Sequence, residues 1–168
     1  EIAAKESHYS WIEASNVLTY VYLHIERDFT KAEWIITPLV EQFPGHPYFA
    51  FLKGELLAKT QQWENLDILM PTLTDFASKG SFLQQNECQL KLAYIKGIEA
   101  FKTGNYKESI KQSTWMLINY HMEFDWLKGF AYLLRGKSYD MQAKRNLAIK
   151  DYQEVIKMDN YYPEVEEA

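Results

Sequence analysis

Only one cysteine, Cys88, occurs in the chain of 168 residues. A lone thiol excludes an intrachain disulfide and any zinc site built from several cysteines, so stability has to come from burial. Beside Gln89 and Leu90, Cys88 reads as a small core filler. Long apolar runs are missing too. None approaches the ~18 residues of a membrane-spanning helix, and no membrane span is expected. Turn formers are scarce, with 7 Gly and 5 Pro. An all-β sandwich of this length would need more of them, which favours long helices with short connections. There is no long basic block, and Ala143-Lys144-Arg145-Asn146 reads as the solvated start of a helix. With a net charge of −5 and a pI near 5.4, the overall field repels phosphate. Neither nucleic acid nor an anionic membrane surface is therefore an expected partner.

Recognisable chemistry is also lacking. The chain has no GxSxG, no P-loop and no dinucleotide fingerprint. Its histidines, His8, His24, His46 and His121, form no HxxxH or HxxEH pair and have no acidic cluster at ligand spacing. His46, in Pro44-Gly45-His46-Pro47, reads as a turn residue. Gly80-Ser81 is a single glycine before a helix cap, too little to cradle phosphate. Glu166-Glu167 and Asp159 read as solvated charge at a helix start. No catalytic residue, metal ligand or cofactor is expected. The chain opens at Glu1 without Met, in helix-like sequence, which reads as a segment of a longer chain or a processed form. That leaves the compartment of a soluble protein open, cytoplasmic or, after removal of an export signal, periplasmic.

What is present is a globular composition, 47% apolar and 24% charged, in a chain long enough for one domain with a sizeable core. Within it one pattern recurs. In Tyr94-Ile95-Lys96-Gly97-Ile98-Glu99-Ala100-Phe101-Lys102-Thr103-Gly104-Asn105-Tyr106, Gly97 lets two helices approach closely. Gly104 suits the left-handed turn that ends a helix. Asn105 then caps the next helix, with Glu108 three residues on in a capping-box-like arrangement. The later instance runs Gly136, Tyr139, Ala148, Tyr152 and a turn at Asp159-Asn160. This instance resembles the tetratricopeptide repeat closely. It departs from that pattern at Ala143, where a turn Gly is usual, and at Asn160, where Pro is usual.

The same template fits the first half through Tyr20, Ala32 and Pro44, then Gly54 and Trp63. Tyr20, Gly54, Gly97 and Gly136 are separated by 34, 43 and 39 residues. The first interval is the family period, so the other two junctions carry insertions of about nine and five residues. Ser81 with Gln84 predicts a helix from about Phe82 to Thr103. Asp125 is the predicted N-cap of a helix from Trp126 to about Met141. Pro38 and Pro71, late in their helices, predict kinks. The resemblance implies an all-α superhelix, a tetratricopeptide-like α-solenoid of eight helices and about four repeats. These fall near residues 13–46, 47–80, 90–124 and 129–162 of a single domain spanning 1–168. Trp34, Trp63, Tyr106, Trp115 and Tyr152 fall where they would fill the layers between helix pairs.

In such arrays the first helix of each repeat lines a concave surface. The resemblance places Val17, Val21 and His24 there, then Tyr48, Phe51, Glu55 and Lys59. From the third repeat come Lys91, Tyr94, Ile98, Phe101 and Lys102, and from the fourth Phe130, Leu133, Lys137, Asp140 and Met141. The Lys, Arg and Asn clamp of a chaperone-binding subclass is lacking, since Val17 and Val21 replace polar groups. An aromatic and aliphatic floor with scattered Lys suits a helix or an extended apolar peptide. Tyr48, Phe51, Tyr94 and Phe101 are therefore expected to be partly exposed in one patch. The implied function is a non-catalytic scaffold for a peptide or partner protein. The alternative is an assembly module whose repeats pack on another copy or on the rest of a longer chain. Pro163 and the acids after it predict the start of a ninth helix. Without more of that helix, Leu147, Val155 and Met158 should be incompletely covered, and a homo-oligomer could form through this uncapped repeat.

Overall fold

The computed structural model describes the backbone of residues 8–158 and the side chains of residues 11–158. Within that range the protein is all-helical, with no strand. There are eight α-helices: α1 (His8–Tyr20), α2 (Phe29–Gln42), α3 (Pro47–Lys59), α4 (Trp63–Phe76), α5 (Phe82–Lys102), α6 (Tyr106–Ile118), α7 (Trp126–Met141) and α8 (Arg145–Lys157). A π-helical turn, Val21–Ile25, prolongs α1. No described helix is long and apolar enough to cross a membrane. The ninth helix expected from Pro163 lies outside the described residues.

Local chemistry sets several of the boundaries. The Asn105 side chain accepts the Glu108 N–H at the start of α6, and Asp28 accepts the Lys31 N–H at the start of α2. Gln84 Oε1 accepts from the Ser81 backbone N–H at 3.1 Å, the return half of a capping box for α5. Asp125 stands in the N-cap place of α7, but its side chain makes no capping bond. Pro38 and Pro71 lie inside α2 and α4, and both helices continue past them.

Each even-numbered helix starts two residues after a left-handed one. These residues are Arg27 (φ 56°), Gln61 (φ 60°), Gly104 (φ 80°) and Ala143 (φ 57°). They are separated by 34, 43 and 39 residues, the intervals of Tyr20, Gly54, Gly97 and Gly136. Three of these turns share a bond reaching back five residues: Gln62 N–H to Leu57 O (2.9 Å), Asn105 N–H to Ala100 O (2.7 Å) and Lys144 N–H to Tyr139 O (2.9 Å). The periodicity is thus carried by a repeated backbone turn, although glycine occupies only one of the four places.

Helices pack on their sequence neighbours, and the odd-numbered ones also touch in succession, α1 on α3, α3 on α5 and α5 on α7. Small residues permit this closeness. Gly97 lies against Leu134 of α7 and Ser113 of α6, and the Ser138 hydroxyl donates to Ser109 Oγ at 2.9 Å in the buried α6–α7 seam. Apolar residues gather in two clusters. A smaller one centres on Leu23, Ile36, Leu39 and Leu56, and a larger one runs from Leu66 and Leu73 to Leu127 and Phe130. Trp63 packs on the larger cluster, but Trp34 is 77% exposed and fills no layer, a correction to the sequence reading. Cys88 is half-buried against the larger cluster, and burial pushes its thiol pKa up. Leu147 on α8 is exposed and Met158, just after the helix, is half-buried, but Val155 is fully buried by its own chain, a correction to the expectation that it would be incompletely covered.

Candidate binding face

The odd-numbered helices bring most of the expected binding residues to one side of the molecule, but the centre of that side is filled. Its axis is a stack of rings from three helical segments. His24, on the π-helical turn, stacks on Phe130 of α7 (centroids 5.3 Å apart, 15° between planes). Phe130 in turn stacks on Tyr94 of α5 (5.6 Å, 10°). Tyr20 tilts against His24 at 4.5 Å, and Trp126 meets His24, Tyr20 and Phe130 edge-on. The first and last described helix pairs therefore touch across this face. The π-helical turn contributes by placing His24 here, and such turns are enriched at functional sites.

Charges are interleaved with the rings. Glu55 of α3 lies 3.0 Å from Lys59 Nζ and 3.7 Å from His24 Nδ1. Burial acts to raise the Glu55 pKa, but the opposing fields of His24, Lys59 and Lys91 together outweigh it and hold the carboxylate below its ordinary range. Lys59 Nζ sits 5.6 Å from the centre of the Phe130 ring and Lys91 Nζ 4.5 Å from that of Tyr48, both cation–π contacts. Lys91 also pairs with Glu87 one turn away.

Exposure corrects the expected open patch. His24 (0%), Phe51 (3%) and Tyr94 (7%) are buried, and so are Glu55 and Phe130. Tyr48 and Phe101 are half-buried, with Phe101 packed edge-on to Tyr106 of its own helix pair. Val21, Lys59, Lys91 and Lys137 are half-buried, whereas Val17, Lys102 and Met141 are exposed. Asp140 is drawn to the α7–α8 turn. Hydrogen bonds from Arg145 and then from the Tyr152 hydroxyl hold its carboxyl below the usual range. The cavity between Tyr20, Glu55, Lys91 and Trp126 measures about 20 Å³, room for one water. The centre of this face is therefore closed.

Tyr20 and Trp126 belong to the cluster and were missed in sequence. Trp126 precedes Phe130 by four residues, one helical turn, and that spacing was the available signal. His46 is exposed before α3, its ring stacked on Phe49 at 4.3 Å. Among the described residues no group of three or more His, Cys, Asp or Glu is arranged to hold a metal ion. No protein-family model, curated protein or solved structure matches this chain.

Proposed function

We propose that the protein is a non-catalytic interaction scaffold of tetratricopeptide-like architecture that holds a peptide or partner protein across its concave face. The observation that carries this is the left-handed turn recurring at Arg27, Gln61, Gly104 and Ala143, in step with Tyr20, Gly54, Gly97 and Gly136. Helix pairs repeated in this register, with odd-numbered helices adjacent, form a common face, and such faces serve as extended binding surfaces. The contacting residues would be those with accessible surface at the margins: Val21, Tyr48, Lys91, Phe101, Lys102 and Lys137. His24, Phe51, Glu55, Lys59, Tyr94 and Phe130 would instead set the shape of the floor. A peptide-display selection, followed by mapping of the selected peptide by NMR, tests the reading. Shifts concentrated at Tyr48, Phe101 and Lys102, with binding lost in Phe101→Ala/Lys102→Glu, are expected. Shifts confined to other faces would refute it.

One observation favours the second reading, an assembly module. Leu147, Ile149 and Ile156 of α8 are all exposed. A mass that rises with concentration in analytical ultracentrifugation, and stays monomeric in Leu147→Ser/Ile156→Ser, would favour assembly.

A further inference from the structure

The first helix pair meets the last one through rings. Tyr20 and His24 touch Trp126 and Phe130, yet among the described residues α1 and the π-helical turn do not pack helix on helix against α5 or α7. The first pair also has its own interior. Apolar residues of α1, α2 and the π-helical turn form the smaller cluster together with Phe49, Leu52 and Leu56, which lie three and four residues apart on one side of α3. Ala50, Phe51, Leu57 and Ala58 of the same helix belong to the larger cluster. The boundary between the two clusters therefore runs along α3.

A polar link ties the first pair to the rest on the other side of α3. Lys53 Nζ donates to Glu33 Oε1 of α2 at 2.9 Å and to Thr37 Oγ1 at 3.0 Å, and Gln62 Nε2 donates to Glu33 Oε2 at 3.2 Å. Lys53 and Glu55 are two residues apart, about 200° around the helix, so this link and the His24 contact of Glu55 stand on opposite sides of α3. A rotation of the first pair about the polar link parts the rings first. Ring contacts are individually weak beside a hydrophobic core. Nor does their parting strand a buried ion, because Glu55 keeps Lys59 at 3.0 Å when His24 leaves.

We propose that α1 and its π-helical turn form an autoinhibitory lid on the concave face, and that Tyr20 and His24 stand where an aromatic side chain of a bound peptide goes. The inference rests on the concave-face reading. While the rings are in contact, a peptide reaches only the margins of the face. When the first pair lifts, Phe130 and Glu55 lose the cover of His24, and the peptide's ring lies flat on Phe130 in its place, as His24 does now at 15° between planes. Glu55 on one side and the edge of Trp126 on the other bound that place. The apparent affinity for the peptide is then the intrinsic affinity reduced by the fraction of molecules with the lid lifted.

Two measurements on Tyr20→Ala/Trp126→Ala test this. Both residues are half-buried, and circular dichroism establishes that the variant folds. If it does not, Trp126→Leu, which keeps an apolar side chain, takes its place. The first measurement is pulsed electron resonance between spin labels at Trp34→Cys on α2 and Ile156→Cys on α8, both exposed, in a Cys88→Ser background. The distance should lengthen in the ring variant without peptide, and in the otherwise wild-type protein when peptide binds. The second is affinity. Peptides from the concave-face selection should bind the ring variant at least about fivefold more tightly than the wild type, and should lose binding when their aromatic residue is replaced by Ala. Removing rings from a binding surface ordinarily weakens binding, so unchanged or weaker binding overturns the proposal. An unchanged distance, or selected peptides without an aromatic residue, overturns it equally. Peptides that map to other faces refute the scaffold reading instead, and the label distances then decide by themselves whether the first pair lifts.

Discussion

Gly136→Ala should destabilise the protein, although Ala is the better helix former. A Cβ at Gly136 would lie 2.6, 2.9 and 3.3 Å from three ring carbons of Tyr152, and ordinary contact needs about 3.4 Å or more. The ring would therefore have to retreat by most of an ångström. It is not free to do so, because its hydroxyl donates to Asp140 at 2.8 Å and Asp140 is also held by Arg145. Overpacking of this kind costs roughly 1–3 kcal/mol. Replacing a helical Gly by Ala returns about 1 kcal/mol. With the nearest ring carbon at 2.6 Å and the ring tethered, the clash falls in the upper part of the overpacking range, about 2–3 kcal/mol, so the net loss should be roughly 1–2 kcal/mol, about 2–8 °C in melting temperature for a chain of this size. Gly136→Leu should cost more and loosen the α7–α8 pair. Gly54→Ala and Gly97→Ala are the internal controls. Their new Cβ atoms would meet Leu73 Cδ1 at 2.8 Å and Leu134 Cδ2 at 2.9 Å, the tips of flexible side chains, so both should be near neutral. The decisive measurement is a urea-denaturation double-mutant cycle with Tyr152→Ala. With the ring removed, Gly136→Ala should become stabilising by about 1 kcal/mol. If Gly136→Ala is neutral in the wild type and additive with Tyr152→Ala, the ring does not press on the helix and the argument fails.

Three further outcomes are expected. Ala143→Gly should raise stability by roughly 0.5–1 kcal/mol in urea denaturation, because Ala143 sits at φ 57° and the relief of strain exceeds the added chain entropy. Glu55→Gln should cost about 3 kcal/mol at neutral pH by leaving Lys59 and His24 without their buried anion. Because the folded Glu55 pKa lies below the ordinary 4.5, that contribution is complete above 4.5 and fades as pH falls through the folded value, so wild-type and variant stabilities should converge in acid. Arg135 grips Asp151 through Nε at 2.8 Å and Nη2 at 2.7 Å across the α7–α8 seam. Arg135→Lys should cost about 1 kcal/mol or more, since an ammonium cannot reproduce the two-pronged contact, and unaltered thermal unfolding would count against it.

Helix positions were legible because caps and turns are local. Ser81 with Gln84, Asn105 with Glu108 and Gly104 each act over a few residues, and α5 and α6 begin where those residues imply; α7 begins after Asp125 as expected, but without a bond from its side chain. The repeat interval was equally open to reading, because a backbone turn that recurs every helix pair leaves its spacing in the chain. Ala143 and Gln61 adopt the left-handed turn without glycine, so there it was the register rather than the residue type that carried the information. The assignment of His24, Glu55, Tyr94 and Phe130 to one side of the molecule followed from the same register.

Whether that side is open depended on tertiary structure alone. The contact of His24 with Phe130 joins residues more than a hundred positions apart, and no single stretch of sequence encodes it. Trp34 shows the same limit in reverse: its helical position suits a buried layer, yet it faces solvent. Side-chain spacing specifies which face of a helix a residue occupies. Only the assembled neighbours decide whether that face is covered, because burial is a property of the contact between elements and not of either element by itself.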